Sequence, residues 1–254
     1  MKLYEIKSKL RNNRTVGLLI IAIMTVGLWQ VPGGTLALYP FTILGTWFHE
    51  MAHGVASIIM GGTFIKLELY PNGSGLAYHS GTLWLGNIGR AIIAAAGPLG
   101  PTFAGSLLII SSKSEKTSRI ALTALGIIMA ASVLIWVRTT FGAVAILILA
   151  AIILYIAFKG GDKLQRWSVQ ILGVQAIVSL YLSLNYLFSP GGNIEETHYL
   201  SDTAVISQYL FLPYWFWGLS ILAFSIYVIY KSIAWAEQKR QKQTDVEHTN
   251  QNES

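Results

Sequence analysis

The chain has 254 residues, 53% of them hydrophobic and only 12% charged, with a net charge of +6 and a mean hydropathy of +0.52. Soluble domains carry about 25% charged residues, so the composition excludes a water-soluble globular protein; the basic residues flank apolar runs, as lipid anchors do, which speaks against a nucleic-acid surface. Cysteine is absent, which excludes disulfides and thiolate metal sites, and leaves any metal to His, Asp or Glu.

A basic segment opens the chain, residues 1–14 with Lys2, Lys7, Lys9, Arg11 and Arg14. The apolar run Val16 to Trp29 follows without a small-x-small cleavage pattern and reads as a retained first helix rather than a signal peptide. Apolar runs bounded by Gly, Pro and charge place helices near 15–30, 36–60, 86–111, 119–137, 141–158, 168–188 and 210–230. The fold class expected is an all-α integral membrane bundle of about six to seven spans over residues 15–232, followed by a polar, disordered tail at 237–254.

Between the second and third spans, Thr63 to Trp84 departs from the helical pattern. Ile65, Leu67 and Leu69 alternate with polar residues before the turn-like Pro71-Asn72-Gly73-Ser74-Gly75, which is a β-hairpin signal. Non-helical backbone is tolerated at membrane depth only where protein or a water-filled cavity surrounds it; the plainer reading is an extramembrane hairpin. The charges also conflict. Both ends are basic, and so are the loops Lys113–Arg119 and Lys159–Arg166, yet seven spans cannot place both ends on one side, so one span must be re-entrant, split or miscounted.

The second span holds His49-Glu50-Met51-Ala52-His53 within apolar flanks. Ionisable residues are costly at such a place, about 2.5–3.5 kcal/mol for a charge on insertion scales, and mark function by default. Residues four apart share a helix face, so the two imidazoles can reach one zinc ion, with Glu50 beside them as general base for a zinc-bound water. A metal-free buried hydrogen-bond network is the bland alternative. A catalytic zinc usually takes a third protein ligand. The candidates are His79, Asp162, His198 and Asp202: Asp162 reads as a solvated turn residue, His79 as a hairpin surface residue, and Asp202, with His198 as runner-up, doubles as a candidate helix N-cap. Arg138, at the end of a span, is expected to snorkel to the headgroups, and Tyr209, Tyr214, Trp215 and Trp217 to form an interfacial belt.

Several motifs follow in order. They are His49-Glu50-x-x-His53, Gly61-Gly62, Pro71-Asn72-Gly73-Ser74-Gly75-Leu76, Ala95-Ala96-Gly97-Pro98-Leu99-Gly100-Pro101, Val137-Arg138-Thr139-Thr140-Phe141-Gly142, Ser201-Asp202-Thr203-Ala204 and Trp215-x-Trp217-Gly218. Over about residues 40–220 the chain resembles the site-2 protease family of membrane-embedded zinc metallopeptidases, in its compact bacterial B-like branch without an inserted PDZ domain. The resemblance implies one catalytic Zn²⁺ held by His49, His53 and Asp202, with Glu50 as base, in a bacterial cell membrane. It also implies transmembrane protein substrates; because a helical peptide bond is sheltered by its own neighbours, a substrate segment is expected to unwind and add as a strand beside the Thr63–Trp84 hairpin, with Asn72 and Gly73 as candidate contacts. Around Asp202 the chain departs from better-known branches, which carry Asn-Pro-Asp-Gly or Leu-Asp-Gly there. The Gly97 to Pro101 stretch is expected to let the third helix approach the second closely. A reading from another class is a non-proteolytic metal carrier or scaffold that keeps the histidines; the lack of internal repeats and the presence of Glu50 speak against it.

Overall fold

The structure, a computed structural model, describes residues 14–194 and 196–252, with side chains for 16–194 and 196–236. The basic N-terminal segment, apart from the helix start at Arg14, lies outside the described residues; the last helix runs on through the polar tail, expected to be disordered, as far as Asn252, with side chains described only to Ala236. The helices are α1 (Arg14–Trp29), α2 (Gly34–Ile59), α3 (Gly86–Ser111), α4 (Glu115–Ile135), α5 (Thr140–Lys159), α6 (Asp162–Leu182), α7 (Leu184–Leu187), α8 (Asp202–Tyr209) and α9 (Tyr214–Asn252). Strands β1 (Thr63–Leu69) and β2 (Gly75–Ser80) form one antiparallel hairpin between α2 and α3, and β3 (Gly191–Ile194) and β4 (Thr197–Leu200) form a second.

Among the described residues, four helices are long and apolar enough to cross a membrane, namely α3, α4, α5 and the Tyr214–Ala236 part of α9, or five if α1 and α2 count as one bent span. Length and apolarity thus mark fewer spans than the six to seven expected from apolar runs, for two physical reasons. Sixteen residues of α1 reach only ~24 Å, short of a ~30 Å hydrocarbon core. Gly33, in the left-handed region at φ 80°, then turns the chain so that α2 leaves at 119°. The second reason is α6. Gln165, Gln170 and Gln175 dilute its apolar character, and two of them are buried: Gln165 Nε2 donates to the carbonyls of Ala157 and Gly160, and Gln175 Nε2 to Thr25 Oγ1 at 2.7 Å. The last expected span, 210–230, is the start of α9, which begins at Tyr214 just after Pro213; Asp202–Tyr209 is a separate short helix before it.

One core cluster joins α2, α4, α5, α6 and β1, with Trp47 buried on α2 and its Nε1 donating to Ser132 Oγ of α4 at 3.0 Å. Gly105 of α3 and Gly173 of α6 meet nearly backbone to backbone, where a side chain on either would collide. In β1 a register irregularity lies between Phe64 and Lys66. It shifts the inward set, so that Phe64, Leu67 and Leu69 are buried while Ile65, expected to share their face, is half exposed. Leu67 is fully buried; Leu67→Ala is expected to cost about 2–5 kcal/mol, read as a lowered thermal midpoint in detergent.

The sheet has one used edge and one free edge. On the outer side of β1, Leu67 N–H donates to Trp136 O and Arg138 N–H to Leu67 O, and Thr139 Oγ1 donates to Leu69 O. The Arg138 guanidinium folds back onto the carbonyls of Val137 and Ile135 rather than reaching outward. The outer edge of β2 has no backbone partner among the described residues. The turn is docked onto α2, since Tyr39 Oη donates to Pro71 O and Thr46 Oγ1 to Gly73 O, both at 2.6 Å. Gly73 itself has φ 88°, which the turn requires.

Candidate metal and catalytic site

His49 and His53 lie one turn apart on α2, as the i, i+4 spacing demands, with Nε2 atoms 3.1 Å apart. The Asp202 carboxylate meets both, Oδ2 at 3.0 Å from His49 Nε2 and Oδ1 at 3.2 Å from His53 Nε2. Asp202 is the first residue of α8. Its N-cap is Ser201, whose Oγ accepts from Ala204 N–H, so the cap function that Asp202 might have filled falls to its neighbour and the carboxylate is left for the imidazoles. Ser201 Oγ also donates to Ser189 O, and Thr203 Oγ1 to Leu187 O, pinning the segment at depth.

These three side chains are the one group among the described residues that presents ligand atoms to a single metal, all within 4.8 Å of one another. The remaining expected candidates are elsewhere. His79 is exposed on β2, His198 is exposed on β4 with Nδ1 paired to Asn193 Oδ1, and Asp162 starts α6 beside the basic loops. The donor set suits zinc. His53 Nδ1 hydrogen-bonds Ile93 O at 2.8 Å, which holds the ring in the tautomer whose Nε2 lone pair is free. Asp202 Oδ2 is buried with no hydrogen bond beyond its approach to His49, as a cation ligand would be.

Gly97 of α3 lies directly against the imidazoles, and Gly100 against Ala52 and the Phe48 carbonyl, the close approach expected of that stretch. Glu50, buried one position from His49, lies against β2, with the Ala77 backbone N–H facing it and Gly75 against its Cγ. Leu67 faces Ala77 across the hairpin while its own N–H and C=O point away to residues 136–138; by the alternation of an antiparallel ladder, Ala77 then directs its N–H to the free edge. Glu50 thus sits at that edge.

A cleft of ≈ 510 Å³ opens from His49 and Glu50 between the two hairpins, with Gly73, Tyr186, Asn193 and Tyr199 among its walls. Gly73 lines it, but Asn72, expected beside it, is exposed with Oδ1 accepting from Ser74 N–H and Oγ. Tyr186 carries no signal in the sequence, standing in an apolar run like any other tyrosine. Burial, and then the nearby carboxylates of Asp202 and Glu50, push its phenol up, so it stays a proton donor. On the hairpin's outer face burial raises Glu68, but hydrogen bonds from Lys66 and Tyr70 outweigh it and hold the carboxyl below its ordinary value.

A multi-pass helical membrane protein with a buried two-histidine, one-carboxylate group and a glutamate beside it is of the membrane metallopeptidase class. The family model described as Peptidase M50B-like matches residues 18–232, and the chain belongs to that family. No curated protein matches, and no solved structure does.

Proposed function

We propose that this protein is an intramembrane zinc metallopeptidase that hydrolyses peptide bonds of transmembrane substrates. The observation that carries the reading is the convergence of Asp202 on His49 and His53 with Glu50 adjoining the free edge of β2. His49, His53 and Asp202 would hold the ion. Zn²⁺ bound there would supply a Lewis acid to polarise the scissile carbonyl and acidify a water. Glu50 accepts the proton of that water as its oxygen bonds the carbonyl carbon, and delivers a proton to the amide nitrogen as the C–N bond breaks.

A helical substrate shields its own peptide bonds, so the segment to be cut must unwind. The outer edge of β2 offers the unwound strand backbone partners, and a strand paired at Ala77 lies against Glu50. In the turn, the Gly73 backbone rather than the Asn72 side chain is the substrate contact this arrangement favours.

The test is comparative proteomics of membrane-derived fragments from cells carrying the wild-type chain or Glu50→Gln. Fragments present with the first are expected to fall about 10²–10⁴-fold with the second, at equal protein level and equal bound zinc. Unchanged fragments would end the peptidase reading. Ion-coupled zinc flux in liposomes, undiminished by Glu50→Gln, would support a carrier instead.

A further inference from the structure

The helices sort the charges by end. Arg166 Nη2 pairs with Glu115 Oε1 at 2.8 Å, and Lys113 Nζ stands 5.0 Å over the Trp235 ring. The α3–α4 loop, the α5–α6 loop and the late part of α9 therefore share one end of the bundle. The other end holds both hairpins, the Val137–Thr139 segment and the cleft, tied together where Arg90 near the start of α3 lies over Tyr209 of α8. Helices α3, α5 and α9 accordingly run from the cleft end to the loop end, and α4 and α6 run back.

Leu18 of α1 belongs to one buried cluster with Ile109 and the partly buried Ile233, late residues of α3 and α9, so α1 begins towards the loop end. From there α1 and α2, joined by the 119° bend, bring the chain to the cleft end, where Trp84 N–H donates to Met60 O just before α3. Counted this way, with the less apolar α6 traversing the bundle as well, the path of the chain from α1 to α9 crosses an even number of times. The parity conflict read from the sequence disappears, because the two short helices at the start do the work of one span.

The loop end carries Lys113, Lys116, Arg119, Lys159, Lys163 and Arg166 against Glu115 and Asp162. At the cleft end the described cations outside the site are Lys66, Arg90 and Arg138, set against Glu68 and Glu196. All three are engaged within the protein: Lys66 with Glu68, Arg138 with two carbonyls, and Arg90 over a tyrosine ring. Trp84, Phe211 and Trp215 are largely exposed at the cleft end, forming an aromatic rim of the kind that marks a headgroup boundary. The sequence that precedes α1 is basic as well.

We infer that the loop end rests on the anionic headgroups of the cytoplasmic leaflet and that the catalytic cleft opens from the opposite, extracytoplasmic side. The physical basis is the cost of moving clustered Lys and Arg across the membrane and their attraction to anionic lipid once retained. Combined with the peptidase reading, on which this consequence rests, it limits substrates to transmembrane segments cut in their extracytoplasmic half.

The chain has no cysteine, so single cysteines report on sidedness without background. Gly161→Cys lies at the loop end in open space, and Glu196→Cys on the exposed tip of the second hairpin. Both are made in the Glu50→Gln chain, so labelling is independent of proteolysis, and are expressed in a bacterial host and treated with a membrane-impermeant maleimide. Glu196→Cys is expected to label in intact cells, and Gly161→Cys only after permeabilisation, with at least a tenfold difference between the two. The reverse pattern, or equal labelling of both, overturns the assignment. Lys116→Cys and Asn72→Cys, exposed at the two ends, provide a second pair should either of the first fail to reach the membrane.

Discussion

Asp202→Ala is expected to strip the purified protein of zinc, from one ion per chain to nearly none after dialysis, with the fold retained. The carboxylate oxygens stand 3.0 and 3.2 Å from the two imidazole nitrogens, and no other acid or histidine among the described residues joins that group. Losing an outer partner of a metal ligand already costs about 10–100-fold in affinity, so losing one of three ligands should cost more than 100-fold. His198→Ala is the matched control: its ring is exposed on β4 and paired with Asn193, and its removal should leave zinc content unchanged. Metal analysis beside a thermal unfolding curve separates ligand loss from misfolding. Wild-type zinc affinity in Asp202→Ala would remove the third ligand from the site and with it the peptidase reading.

Gly97→Ala is expected to have nearly as large an effect from a single methyl group. A Cβ at this position would overlap His53 Nε2 and stand 2.7 Å from His49 Nε2, closer than any real contact. The ring of His53 cannot swing aside freely, because its Nδ1 is bonded to Ile93 O on the same helix as the new methyl. Helix α3 is itself held closely, since its Gly105 is packed on Gly173 of α6. Overpacking of this kind costs about 1–3 kcal/mol, and here the strain falls on the ligand atoms. We expect a lowered thermal midpoint together with loss of bound zinc, whereas Gly27→Ala, where a Cβ meets nothing within 4 Å, should change neither. Full zinc occupancy in Gly97→Ala would show that the imidazoles are not confined as their packing implies.

Much of the site was legible in the sequence because its core obeys a local rule. His49, Glu50 and His53 share a helix, and the spacing that places two imidazoles on one face is the spacing of the helix itself. The hairpin was legible for the same reason, through alternation and a turn-forming Asn-Gly-Ser-Gly, but its inward set was not. The irregularity between Phe64 and Lys66 exchanges Ile65 for Phe64, and a period-2 pattern carries no mark of an inserted residue. The span count was not legible where hydropathy and geometry separate. An apolar run reports how greasy a segment is and says nothing of a left-handed glycine bending it by 119°, or of buried glutamines satisfied by a neighbouring carbonyl or hydroxyl.

By itself, then, the sequence determined the solvent, through an apolar excess that only lipid can accommodate, and the catalytic helix, through its i, i+4 histidines and adjoining glutamate. The family resemblance named Asp202, but the local pattern around it could not place its carboxylate; only the tertiary structure brought it to the imidazoles and decided which strand edge stays open beside Glu50 and which glycine of α3 makes room for the rings. The physical reason is the range of the interactions. Helix periodicity and side-chain hydropathy act over a few residues and leave their trace in the local pattern. The meeting of Asp202 with His49 depends instead on how α2, α3 and α8 pack, which many equally apolar sequences of the same local pattern would not reproduce.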